Sequence, residues 1–327
     1  MTALPDPLQS HAVLVGVSRY PRMPLERQLP QVMNGLEHLA GLLCDPDVWG
    51  LPEDRCTILA EPPDTETIIG GLRAAAATAS DTLLFYYAGH GLTDPQVGRE
   101  LYLALPHSYE PGGAHTALGY SFLRKEMRLT SAVRKAVILD CCWSGLAAEG
   151  TMGADAAPLA GIGGAGVITA TTSNRQAIAL PGAKLTAFTG ALTDLLRDGV
   201  PEGSEFLDLE SIFRALHTRL TAAGFPEPQL VGMDEGASIV LARNAQARCQ
   251  DVATYRMLIA GGKYEEALDV LYRSAADDEA ALNELLLRLR RTGRFQAAAE
   301  LEQVAREGAG ALRAALHRLR SGGVSVN

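Results

Sequence analysis

Along the front of the chain, short apolar runs alternate with stretches of helical spacing. Residues 11–17 (HAVLVGV) are almost continuously apolar and stop at Ser18, the pattern of a strand buried on both faces. Residues 29–43 carry apolar side chains at 29, 32, 33, 36, 39, 40 and 43, which fall on one face of a helix. The alternation then repeats. Residues 56–60 predict a strand, 65–79 an Ala- and Leu-rich helix, and 82–88 (TLLFYYA) a strand whose aromatics suit a sheet. Residues 101–105 predict a short extra strand, 134–140 (RKAVILD) and 166–171 (GVITAT) two more, and 237–242 (ASIVLA) a last one. Helices are predicted over 188–196 and 208–222. Strands alternating with helices imply an α/β fold, a mostly parallel sheet flanked by helices. In such sheets ligands bind beyond the carboxyl ends of the strands.

Residues 147–164 are rich in Ala and Gly and read as a loop. After Asn244 the pattern becomes helix only, so the chain divides into a front domain, 1–244, and a small all-α tail, 245–327. In the tail, GKYEEAL at 262–268 is echoed by GRFQAAA at 293–299, an offset of 31 residues. Order and spacing resemble a tetratricopeptide helical hairpin, whose period is about 34 residues. An unrelated helical hairpin fits the same pattern. Either would serve as a contact surface for another protein or for the front domain.

The 327 residues are 47 % hydrophobic and 20 % charged, ordinary for a globular protein. No apolar run approaches the roughly 18 residues that span a bilayer, and the N-terminus has no basic and apolar leader. The five cysteines form no CxxC pair, which argues against a disulfide framework or zinc site and for the reducing cytoplasm. The net charge of −9 is uneven. Residues 245–327 hold 12 Lys and Arg against 11 Asp and Glu, leaving 17 against 27 in the front domain. So acidic a domain argues against nucleic acid as partner and leans toward basic substrates, although a plain solubility charge has the same sign.

Two segments carry chemistry. Tyr86-Tyr87-Ala88-Gly89-His90-Gly91 follows one predicted strand, and Asp140-Cys141-Cys142-Trp143-Ser144-Gly145 another. Each sets a reactive side chain beside glycine, which lets a substrate backbone approach. A thiolate, a nearby imidazole and backbone donors for an oxyanion are what cysteine peptidases require. YAGHG and DCCWSG, 52 residues apart from His90 to Cys142, resemble the histidine and cysteine motifs of the caspase and metacaspase superfamily. The resemblance runs over residues 12–242, takes in GVSRY and the TAFTGAL segment at 186–192, and is finest with an actinobacterial caspase-like group associated with conflict systems. It implies that Cys142 is the nucleophile, His90 the general acid/base, and the backbone N–H groups of Gly91 and Cys142 the oxyanion donors. The substrate is then a protein or peptide, and a role in bacterial defence or cell death follows; no cofactor, membrane or nucleic acid is expected, no residue is assigned to a metal, and the calcium dependence common in metacaspases stays open. A second reading keeps the scaffold but leaves the dyad idle, with binding through the helical tail as the function.

The remaining cysteines, Cys44, Cys56 and Cys249, read as structural, and Cys141 as a sheet-core residue or a modulating thiol. His107 and His115 lie outside both motifs. Asp140 matches the metacaspase carboxylate that lines S1 and pairs with Arg or Lys, and it would suit a guanidinium bidentately. A strand-end residue capping its turn would look the same. Two positions depart from the metacaspase pattern. Ala88 stands where Ser is common, and Gly35 follows Asn34 where Asp is common, removing one S1 carboxylate. From Leu146 to Asn174 there is no Lys or Arg, so an enzyme cutting after basic residues would find no processing site there, whereas one cutting after Asp would find Asp155.

Overall fold

The computed structural model describes residues 4–94, 98–141, 165–170, 182–201, 203–232, 236–247, 254–255, 257, 266, 270, 272, 279–291, 293–306 and 309–321. Two compact units emerge, Met1–Asn244 and Ala245–Asn327. The front unit runs β1 (His11–Gly16), α1 (Gln31–Cys44), β2 (Cys56–Ala60), α2 (Thr65–Thr78), β3 (Thr82–Ala88), β4 (Gly91–Asp94), β5 (Gly98–Leu103), β6 (Leu118–Gly119), α3 (Tyr120–Leu129), β7 (Arg134–Asp140), β8 (Ala165–Thr169), α4 (Ala187–Asp198), β9 (Phe206–Asp208), α5 (Leu209–Ala222), β10 (Gln229–Gly232) and β11 (Val240–Arg243). Helix starts follow local chemistry. Asp64 Oδ1 accepts the Thr67 N–H at 2.8 Å to open α2, and Asp208 Oδ1 accepts the Ser211 N–H at 2.8 Å to open α5.

Among the described residues the main sheet has the strand order β10-β8-β7-β3-β1-β2, parallel except for β10. Strands β1 and β3 are buried along their whole length, as central parallel strands covered on both faces must be. Alternate residues feed two cores. Val13, Val15, Phe85, Tyr87, Val137 and Leu139 meet α2 and α3 through Ile68, Leu72, Leu123 and Met127. Leu14, Leu84, Tyr86 and Ile138 meet α1, α4 and α5 through Leu36, Leu39, Leu192 and Leu216. The period of two therefore sends the adjacent tyrosines, Tyr86 and Tyr87, to opposite faces.

The α/β expectation holds, and the segments 56–60, 82–88 and 134–140 form strands over the predicted ranges. Two predicted strands lie elsewhere than expected. The 101–105 segment contributes to β5 in a separate sheet ordered β4-β5-β6, and the 237–242 segment contributes to β11, paired antiparallel with β9. The edge of the main sheet is β10, which follows the Gly224-Phe225-Pro226-Glu227-Pro228 stretch and is too short to leave a periodic signal. Helix α3 buries Tyr120, Leu123 and Met127, but four charged residues among its ten mask that stripe. The predicted 147–164 loop lies outside the described residues.

The tail is helical among its described residues: α6 (Glu279–Arg291), α7 (Phe295–Ala305) and α8 (Ala309–Ser321). It has its own core of Tyr255, Val270, Tyr272, Leu285, Leu289, Leu301, Leu312 and Leu316.

Phe85 is fully buried at the centre of the sheet. Phe85→Ala is expected to destabilise the front unit by about 3–5 kcal/mol in denaturant unfolding, with the m-value unchanged.

Candidate active site

Strands β3 and β7 pair in parallel from Thr82 opposite Arg134 to Ala88 opposite Asp140, so both end at one level. The Gly89 N–H donates to the Asp140 carbonyl at 3.2 Å and ties the two exits together. His90 follows Ala88 by two residues, and in sequence Cys142 follows Asp140 by two. Cys142 itself lies outside the described residues.

His90 is 5 % exposed. Its Nε2 sits 2.7 Å from the Arg27 carbonyl. A carbonyl only accepts, so Nε2 carries the proton, and in the neutral imidazole Nδ1 is left with the free lone pair. Burial pushes the His90 pKa down; the Arg27 carbonyl opposes that shift and the Arg27 charge adds to it. The ring is thus neutral at pH 7 and has its basic nitrogen fixed.

Three tyrosines build the surroundings. Tyr20 packs against the imidazole with ring centroids 4.7 Å apart, and its hydroxyl accepts the His90 backbone N–H at 2.8 Å while reaching the Val17 carbonyl at 3.2 Å. The Tyr87 hydroxyl lies 2.9 Å from the His90 carbonyl and 2.8 Å from that of Ala104. Burial raises the Tyr20 pKa, so its hydroxyl stays protonated and neutral. Gly89 is required by this packing, because a Cβ there would lie 2.5 Å from the Tyr87 oxygen and 2.7 Å from the Tyr20 oxygen. Arg27 also pairs with Glu110, linking the segment that orients His90 to the loop after β5.

On the opposite face, Asp140 is 3 % exposed. Its Oδ2 accepts the Thr186 hydroxyl and, at 2.6 Å, the Thr189 hydroxyl, while Oδ1 has no hydrogen-bond partner among the described residues. The Tyr86 hydroxyl bonds Thr189 Oγ1. One carboxylate oxygen of Asp140 is thus engaged by two hydroxyls. Burial raises the Asp140 pKa, opposed by the Thr186 and Thr189 hydrogen bonds.

Ala88 is buried in the core on the α1 side, and its carbonyl accepts the Val17 N–H at 3.0 Å. Gly91 opens β4 opposite Leu103. Cys141 is fully buried in the other core. Burial pushes the Cys44 thiol up and that of Cys56 up to about 12, which makes Cys56 a poor nucleophile. Cys249 is outside the described residues. His107 lies in a turn, and His115 packs edge-on against Tyr109 at 5.9 Å. Sequence reading missed the Arg27 carbonyl and had Tyr20 inside GVSRY without a role. It had Thr186 and Thr189 inside a motif without a role; their spacing at the start of a helical pattern puts both hydroxyls on one face.

The caspase-domain family matches residues 9–246 of the chain. The chain belongs to the caspase-domain peptidase family. Among solved structures, protein GSU0716 from Geobacter sulfurreducens matches with 18 % identity over 73 % of this chain and 98 % of its own, at a TM-score of 0.50. At that identity the likeness is one of fold. No functionally curated protein matches the chain. Among the described residues no group of three or more His, Cys, Asp or Glu is arranged to hold a metal, and no helix is long and apolar enough to cross a membrane.

Tyr20→Phe leaves the buried His90 N–H without its acceptor, and should destabilise the protein by about 1–3 kcal/mol in thermal or denaturant unfolding. Asp140→Asn should do the opposite. Burial raises the folded pKa of Asp140 above its unfolded value, so its contribution to stability is present below about pH 4 and lost as pH rises through the folded pKa. A neutral Asn escapes that loss, and the variant's Tm should exceed wild type by more at pH 8 than at pH 5.

Proposed function

We propose that this protein is a cysteine endopeptidase in which Cys142 and His90 form the dyad and Asp140 receives a basic P1 side chain. The observation that carries the reading is His90, a neutral imidazole held by a backbone carbonyl with Nδ1 left as the base. It stands at the end of β3, next to the strand that leads to Cys142. In the proposed reaction the Cys142 thiol gives its proton to His90 Nδ1, and the thiolate attacks the scissile carbonyl. The N–H groups of Gly91 and Cys142 are the proposed donors to the oxyanion. His90 passes the proton to the departing amine, leaving a thioester on Cys142. Water, deprotonated by His90, then releases the acid and restores the thiol.

The preference for Arg or Lys rests on Asp140, a buried carboxylate whose Oδ1 lacks a partner among the described residues. A cation arriving there would satisfy it and hold it ionised. The acidic front domain adds a favourable field. The tail, read as a tetratricopeptide-like hairpin, would recruit the partner that directs or triggers cleavage. A cytoplasmic setting in bacterial defence or cell death fits a peptidase joined to such a tail.

The test is turnover of a fluorogenic peptide library varied at P1. Cleavage after Arg or Lys is expected, falling at least 10³-fold in Cys142→Ala and in His90→Ala with the fold intact by circular dichroism. Full activity in either variant would overturn the dyad. Cleavage confined to Asp at P1 would discard the S1 assignment and turn attention to Asp155. With basic P1, prolonged incubation should leave no cut between Leu146 and Asn174, read by intact mass, because that stretch lacks Lys and Arg.

A further inference from the structure

Among the described residues, hydrogen bonds reach the Asp140 carboxylate at Oδ2 alone, and the direction of each is fixed. A carboxylate oxygen offers two lone pairs. Those of Oδ2 are both taken, by the Thr186 and Thr189 hydroxyls. Neither hydroxyl is free to turn away. Thr189 has a single proton, given to Asp140, so the Tyr86 hydroxyl must be the donor in its bond to Thr189 Oγ1. Burial raises the Tyr86 pKa and keeps that proton in place. Thr186 caps α4, and its Oγ1 also accepts the Thr189 N–H at 3.2 Å. The relay runs Tyr86 to Thr189 to Asp140, on the face of β3 opposite to Tyr87. Across from Thr189 stands Gly35 of α1, where a Cβ would come within 3.0 Å of the Thr189 methyl, so α1 brings no second carboxylate to this place.

We propose that Thr186 and Thr189 set P1 specificity by occupying Asp140 Oδ2, so that the pocket presents a single carboxylate oxygen and takes Lys as readily as Arg. This rests on Asp140 being the S1 carboxylate. A guanidinium gains over an ammonium where it meets two oxygens with two parallel N–H groups. Facing one oxygen, it makes one contact and loses that advantage, while an ammonium, a point charge with rotatable donors, loses nothing. Both threonines are positioning residues, acting on the substrate through Asp140.

The experiment compares kcat/KM for matched peptides with P1 Arg, Lys and norleucine, and in parallel the labelling rates of the matching peptidyl electrophiles. In wild type the Arg and Lys values should agree within about tenfold. Thr189→Val releases a lone pair of Oδ2 and should raise the Arg-to-Lys ratio roughly tenfold, the value of one charge-assisted hydrogen bond. Thr189→Ser should keep the wild-type ratio. Thr186→Val gives the same readout if Thr189→Val fails to fold. A wild-type preference for Arg above about tenfold, or a valine variant that lowers both substrates by one common factor, would overturn the proposal. Failure of the S1 reading itself looks different: norleucine then matches Arg and Lys, or neither base is cleaved or labelled.

Discussion

Everything at this site depends on the register between β3 and β7. Because the two strands are parallel and paired to their last residues, Ala88 opposite Asp140, the chain leaves the sheet twice at the same level and side by side. Parallel neighbours stand about 4.8 Å apart. The motif histidine and the motif cysteine each come two residues after that exit. A slip of one residue in this pairing would turn Tyr86 and Tyr87 to the wrong faces and undo both halves of the site at once.

The two faces of the sheet do different work at the exit. Tyr87 and Tyr20 hold the backbone of His90, and the Arg27 carbonyl chooses its tautomer. Tyr86, through Thr189, holds Asp140. Both groups are deeply buried, and burial opposes the charge each would carry. His90 is therefore kept neutral and available as a base, while Asp140 is an ionisable group in an unfavourable place, destabilising the fold when charged. In the proposed S1 role, a substrate cation is what would restore the balance.

Much of the architecture was legible in the sequence. Strands that are wholly buried, such as β3 and β7, write unbroken apolar runs, and helices such as α1 write a one-sided stripe. The short elements were not legible. Strand β10 has four residues after two prolines, and α3 hides its three buried side chains among Arg124, Lys125, Glu126 and Arg128. At the site, the motifs pointed to His90 and Cys142 but not to the groups that surround His90. The partner of His90 is a backbone carbonyl, which any residue at position 27 would supply, so no side chain announces it. The engagement of Asp140 by Thr186 and Thr189 needs contacts some 46 and 49 residues away in sequence, beyond any local pattern.

In the proposed reaction His90 activates one particular thiol, that of Cys142. The direct measurement is to treat the intact protein at pH 7 with a peptidyl electrophile and map the adduct by peptide mass spectrometry, in wild type and in His90→Ala. A single adduct on Cys142, slowed at least a hundredfold in His90→Ala, is expected. Labelling spread over Cys44 or Cys249, or labelling of Cys142 that proceeds at the same rate without His90, would contradict it.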